Sequence, residues 1–129
     1  MKGIYAAVFK QEDDKVYVSF PDLPGCVTSG KDVSDAYDMA VDAANLWVTS
    51  AVEDLHEQVP KATPIEQIEC GDGERVMLIQ VDTDEYMKKT ETKAVRRTVS
   101  IPSWMDQIAQ KRGISLSKVL QEALKSQIA

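Results

Sequence analysis

Two short runs near the C-terminal end carry the residues whose types and spacing could do chemistry, and that chemistry is recognition. Arg96, Thr98 and Ser100 stand at alternate positions of Val95-Arg96-Arg97-Thr98-Val99-Ser100-Ile101, with Val99 and Ile101 among them. Strand periodicity puts the three polar side chains on one face and the two apolar ones on the other. A guanidinium and two hydroxyls on one face of a strand are donors and acceptors of the kind that read base edges in the DNA major groove. The second run, Ser115-Leu116-Ser117, opens an apolar pattern of helical spacing. There Ser115 offers an N-cap oxygen to a second helix. DNA contacts are therefore expected at Arg96, Thr98 and Ser100. Arg97 falls on the core-side register and its role stays open.

No comparable set exists for catalysis. A metal-dependent nuclease needs carboxylates converging from different elements. Here Glu12, Asp13 and Asp14 fall in a turn, Asp22 lies between two prolines, and Asp35, Asp38 and Asp42 run along a helix as a solvated face. The single histidine, His56, reads as a charge complement near a helix end, and no serine or cysteine pairs with it as a nucleophile. Cys26 and Cys70 form neither a zinc set nor a disulfide framework and read as reduced, packed thiols. No catalytic residue, metal or cofactor is expected.

The elements that must position these residues follow from periodicity. Residues 4–10 and 15–20 are β-branched and aromatic around Gln11-Glu12-Asp13-Asp14, which predicts a hairpin. Pro21-Asp22-Leu23-Pro24-Gly25 predicts a rigid turn into a third strand at Cys26-Val27-Thr28. From Asp32 to about Gln58 the spacing of Val33, Tyr37, Ala40, Ala44, Trp47, Ala51 and Leu55 predicts one long amphipathic helix capped by Asp32, with Tyr37 and Trp47 in the core. Val76–Val81 reads as a fourth strand, Asp82–Lys89 as one or two helical turns. The order β-β-β-α-β implies an α+β body over residues 1–87 with one helix on one face of the sheet. Residues 88–94 have almost no apolar content and read as a linker.

The remainder, 95–129, reads as strand, helix, helix. Pro102 suits the first position of a helix, Gly113 a left-handed stop, and Ser115 the cap of a second helix bearing Leu116, Val119, Leu120, Ala123, Leu124 and Ile128. About 35 residues cannot bury enough surface to fold alone, so a homodimer through this tail is expected. Whether the body pairs as well, giving a tetramer, stays open.

Charge divides the chain at the same place. Residues 1–94 hold nine Lys/Arg and nineteen Asp/Glu, a balance of −10, whereas 95–129 hold six and two, a balance of +4. A basic tail suits phosphate and an acidic body a basic protein. No apolar run approaches membrane-spanning length and no secretory signal opens the chain, so a cytoplasmic location is expected.

The tail resembles the ribbon-helix-helix family through Arg96-Arg97-Thr98-Val99-Ser100-Ile101-Pro102 and Arg112-Gly113-Ile114-Ser115-Leu116-Ser117. That resemblance implies that Ser115, Leu116 and Ser117, at the start of the second helix, lie against a DNA phosphate, for which backbone N–H groups and the helix dipole supply the physical reason. Phe20-Pro21-Asp22-Leu23-Pro24-Gly25-Cys26-Val27-Thr28-Ser29-Gly30, after a hairpin and before a helix, resembles the HicB antitoxin family. That resemblance implies a partial ribonuclease H-like body without catalytic residues, a HicA-type toxin partner that cleaves RNA, and repression of the operon through operator DNA. The alternative is a stand-alone transcriptional regulator whose acidic body senses a ligand or oligomerises. The tail supports both readings equally, and only the body separates them.

Overall fold

The β-branched residues at the N-terminal end form the expected hairpin. In a computed structural model describing residues 1–129, β1 (Lys2–Glu12) pairs antiparallel with β2 (Lys15–Ser19) from Val8↔Ser19 to Glu12↔Lys15. Asp13 turns the chain at φ 54, a left-handed conformation that aspartate tolerates better than most residues. The chain divides into two units, Met1–Lys93 and Ala94–Ala129.

The first unit is a four-stranded antiparallel sheet under one helix. The Pro-rich segment after β2 closes on itself: Leu23 N–H donates to the Phe20 carbonyl, Cys26 N–H to Leu23, and Phe20 N–H to Cys26. Leu23 is fully buried beneath it. The segment delivers β3 (Val27–Gly30) antiparallel to β2, while β4 (Glu74–Asp82) pairs antiparallel along the other side of β1. The sheet order is β3-β2-β1-β4, so β3 and β4 are free edges.

Helix α1 (Val33–Val48) starts where expected, with the Asp32 carboxylate accepting from Asp35 N–H at 2.8 Å. Its buried face agrees with the expected one at Ala40 and Ala44, as does Ala51 beyond it, and departs from it elsewhere. Ala36, Ala40, Ala44 and Val48 lie on Tyr5, Phe9, Val16, Val18, Ile79 and Val81, whereas Val33, Tyr37 and Leu55 are exposed. Trp47 is half-buried at the core's edge, its indole N–H donating to the Pro24 carbonyl at 3.1 Å. The physical reason is close approach. A Cβ added at Gly30 would lie 2.3 Å from the Ala36 backbone nitrogen, so the helix rests on the sheet where only small side chains fit.

The helix also stops short of Gln58. Thr49–Asp54 continue it as a π-helical turn, and the chain leaves the helix end at His56, whose φ is 54. Residues 55–64 then run irregularly, tied back by the Tyr5 hydroxyl donating to the Pro60 carbonyl at 2.7 Å. Asp22 accepts from both the backbone N–H and the hydroxyl of Thr63. Helix α2 (Thr83–Thr90) is capped by Asp82 and reaches into the segment expected to be linker, whose first three residues are helical.

The second unit contains α3 (Ser103–Lys111) and α4 (Leu116–Ile128). Pro102 is the residue before α3 and not its first; its carbonyl accepts from Met105 N–H at 3.0 Å. Gly113, at φ 67, stops α3 as expected. The strand expected over Val95–Ile101 is not formed in the single chain, because a strand is defined by the backbone partner beside it and none is present.

Candidate functional site

In the second unit every predicted DNA-contacting residue is exposed. Arg96, Thr98 and Ser100 lie in the unpaired segment, so the single chain does not yet sort them from Val99 and Ile101 onto opposite faces. At the start of α4 the expected cap is formed. Ser115 Oγ accepts from Lys118 N–H at 3.3 Å, Leu116 is half-exposed, and Ser117 Oγ accepts from the Gln121 side chain at 3.2 Å. First-turn N–H groups of a helix that lack an intrahelical partner are the groups able to receive an oxyanion.

The same unit leaves its apolar faces uncovered. Val99, Ile101, Trp104, Ile108, Leu116, Val119, Leu120 and Leu124 are each at least 40% exposed, and Ala109 alone is buried. Two amphipathic helices with one buried residue between them have no core of their own.

In the first unit the charge lies on the helices. Asp38, Asp42, Asp82 and Glu85 line a groove between α1 and α2 with Tyr86 and Lys89. Burial and the Asp42 carboxylate beside it raise the Tyr86 phenol above its ordinary range. These acids do not form a metal centre: nowhere do three His, Cys, Asp or Glu side chains stand close enough to share an ion. Asp22 is spent on Thr63, and Asp35 accepts from Lys31 N–H at 2.9 Å. Cys26 is buried, which pushes its thiol up to about 11; Cys70 is exposed, against the expectation that both are packed. No helix is long and apolar enough to cross a membrane.

Sequence reasoning missed Asn45. Its buried amide donates to the Val41 and Gln80 carbonyls and its oxygen accepts from Asp82 N–H at 2.9 Å, clamping α1 to the end of β4. An asparagine between Ala44 and Leu46 on a helix was the available signal.

Comparison with known proteins decides between the readings of the body. The family model described as the HicB-like antitoxin of bacterial toxin–antitoxin systems matches residues 5–124, nearly the whole chain. The chain belongs to the HicB-like antitoxin family. It is thus an antitoxin of a toxin–antitoxin system, a regulatory and non-enzymatic protein. An uncharacterised 14.9 kDa protein from the rep–hol intergenic region of Haemophilus phage HP1 is 32% identical over 91 residues, 68% of each chain. Among solved structures, a toxin–antitoxin complex from Streptococcus pneumoniae superposes with a TM-score of 0.60 at 22% identity, covering 98% of this chain and 99% of that one. A HicA3–HicB3 toxin–antitoxin complex matches at TM-score 0.51 and 17% identity, covering 62% of this chain and 99% of the other. At those identities the likeness shows the α+β fold.

Proposed function

We propose that this antitoxin neutralises a HicA-type RNA-cleaving toxin through its acidic first unit and represses its own operon by binding operator DNA through a ribbon-helix-helix dimer of its second. The observation that carries the DNA half is the uncovered apolar face of residues 95–129. A second copy laid across α3 and α4 would cover that face, and pairing the two Val95–Ile101 segments antiparallel would supply the missing backbone partners. The resulting ribbon presents Arg96, Thr98 and Ser100 to base edges, while Ser115, Leu116 and Ser117 hold a phosphate at the start of α4.

The toxin half is supported by family membership, by the toxin–antitoxin complexes that share the fold, and by the −10 balance of residues 1–94. In this reading the body is a ribonuclease H-like sheet and helix that serves as a scaffold without chemistry of its own. A surface of that sign attracts an RNA-binding protein, whose own surface must be basic. The test is co-production of the chain with a HicA-type toxin. The two are expected to purify together and the chain to suppress RNA cleavage. Free toxin activity in the presence of excess folded antitoxin would remove the reading.

A further inference from the structure

We propose that the outward crest of α1, together with the groove between its C-terminal half and β3, is the surface on which the toxin docks. This rests on the toxin-neutralising reading above and adds to it the place of contact.

The first ground is the pattern of side chains on α1. Asp35, Met39, Asp42 and Leu46 recur at helical spacing along the side turned away from the sheet, alternating carboxylate with large apolar group. Met39 and Leu46 are 43% and 52% exposed, although the helix already buries its opposite face, Ala36, Ala40, Ala44 and Val48, completely. A helix that only covers a sheet needs one apolar stripe, and this one has two.

The second ground is the shape beside that crest. Val27, Leu46, Trp47 and Leu55 line an open groove of about 480 Å³ along the β3 edge. Its walls are held rigid, one by the Trp47 indole bonded to the Pro24 carbonyl, the other by the self-closed turn from Phe20 to Cys26. Preorganised apolar recesses with a polar rim are where a partner's anchoring side chains gain most.

Charge fixes what the partner is. From Asp32 to Val59, 28 residues contain seven carboxylates and no lysine or arginine. The open face of the sheet is also partly apolar, through Ile4, Tyr17 and Leu78, but mixes Lys2 and Lys10 with Glu74 and offers no single sign. An apolar knob ringed by lysine or arginine therefore fits α1 and is not selected by the sheet face. A basic toxin has that chemistry; a nucleic acid is repelled.

The experiment uses the full chain co-produced with a HicA-type toxin and measures affinity and RNA-cleavage suppression. Wild type is expected to bind, with affinity that falls as salt rises. Leu46→Lys and Asp42→Lys are expected to weaken binding at least about tenfold, with thermal unfolding of the free chain and its sedimentation unchanged. Leu78→Lys, on the open sheet face, should bind as wild type does. Hydrogen exchange on the wild-type complex supplies a readout that needs no substitution, and slowed exchange is expected within 33–55 and not within 74–82. Wild-type affinity in both α1 variants, loss confined to Leu78→Lys, or protection confined to β4 overturns the docking face while leaving the antitoxin reading standing. Failure of the wild-type chain to bind the toxin overturns both.

Discussion

The two units use the same local devices and reach opposite ends. Each has a helix capped by a polar side chain, Asp32 at α1 and Ser115 at α4, and each has a glycine placed where the backbone demands one, Gly30 and Gly113. In the first unit these lead to a closed core with Tyr5, Leu23, Val48 and Ile79 buried; in the second they leave Trp104, Val119 and Leu120 in water. Capping and periodicity establish that a helix exists. They do not say whether the chain itself supplies what covers it. That depends on how many apolar faces are available to oppose one another, and a 36-residue unit with two helices has too few.

The comparison breaks most directly if the second unit can be made to stand alone. Placing a charge at Leu120 in α4 should separate the chains at micromolar concentration and abolish operator binding, because in the proposed dimer each copy's stability is tied to the other's. Unfolding of the first unit should stay where it was. Sedimentation and thermal unfolding of Leu120→Glu measure both. A Leu120→Glu chain that remains dimeric would show that the tail is not the dimer contact.

In the first unit the corresponding change is Ile79→Ala, which removes a fully buried side chain between β1 and α1. It should cost about 2–5 kcal/mol of body stability in denaturant titrations, and operator affinity at temperatures where the body stays folded should not move. A coupled loss of DNA binding would mean that the two units are one cooperative structure.

How much of this was legible in sequence follows from the same contrast. The hairpin, the Pro-rich turn, the Asp32 cap and the Gly113 stop are local events, decided by residues a few positions apart, and each stands where periodicity and turn chemistry put it. The buried face of α1 was read rightly at Ala40, Ala44 and Ala51 and wrongly at Val33, Tyr37 and Leu55. Tyr37 and Leu55 outweigh Ala36 on any hydrophobic count, yet Ala36 is the one that lies against Gly30. The π turn at Thr49–Asp54 and the tie from Asp22 to Thr63 join residues by contacts no spacing announces. The strand expected at Val95–Ile101 is the reverse case, because its alternation is plain in sequence while the single chain supplies no hydrogen-bond partner for it.

The proposed DNA contacts give a smaller expected effect. Arg96→Ala should cost about 1–3 kcal/mol on the operator and relax base preference if the guanidinium makes a paired contact to guanine. Gel-shift titration against operator and scrambled duplex separates the outcomes. Equal losses on both would place Arg96 on phosphate, and an unchanged operator affinity would take the strand out of the groove.

The smallest effect tests the two caps against each other. Asp32→Ala and Ser115→Ala each remove one side-chain acceptor from a first-turn N–H, so each should lower the stability of its own helix by about 0.5–2 kcal/mol. Only the second should reach DNA. In the proposed DNA complex the Ser115 hydroxyl and the N–H groups beside it meet a backbone phosphate, which is the same for every sequence, so Ser115→Ala should weaken binding about equally on operator and scrambled duplexes. Asp32→Ala should leave both affinities alone, since its helix belongs to the body. Repeating the titrations at two salt concentrations separates a lost phosphate hydrogen bond from a lost charge. The salt slope is set by the number of lysines and arginines on phosphate, and neither substitution changes that number. A Ser115→Ala loss confined to the operator would move the start of α4 from the phosphate backbone to the bases, and the strand would no longer be the only reader of sequence.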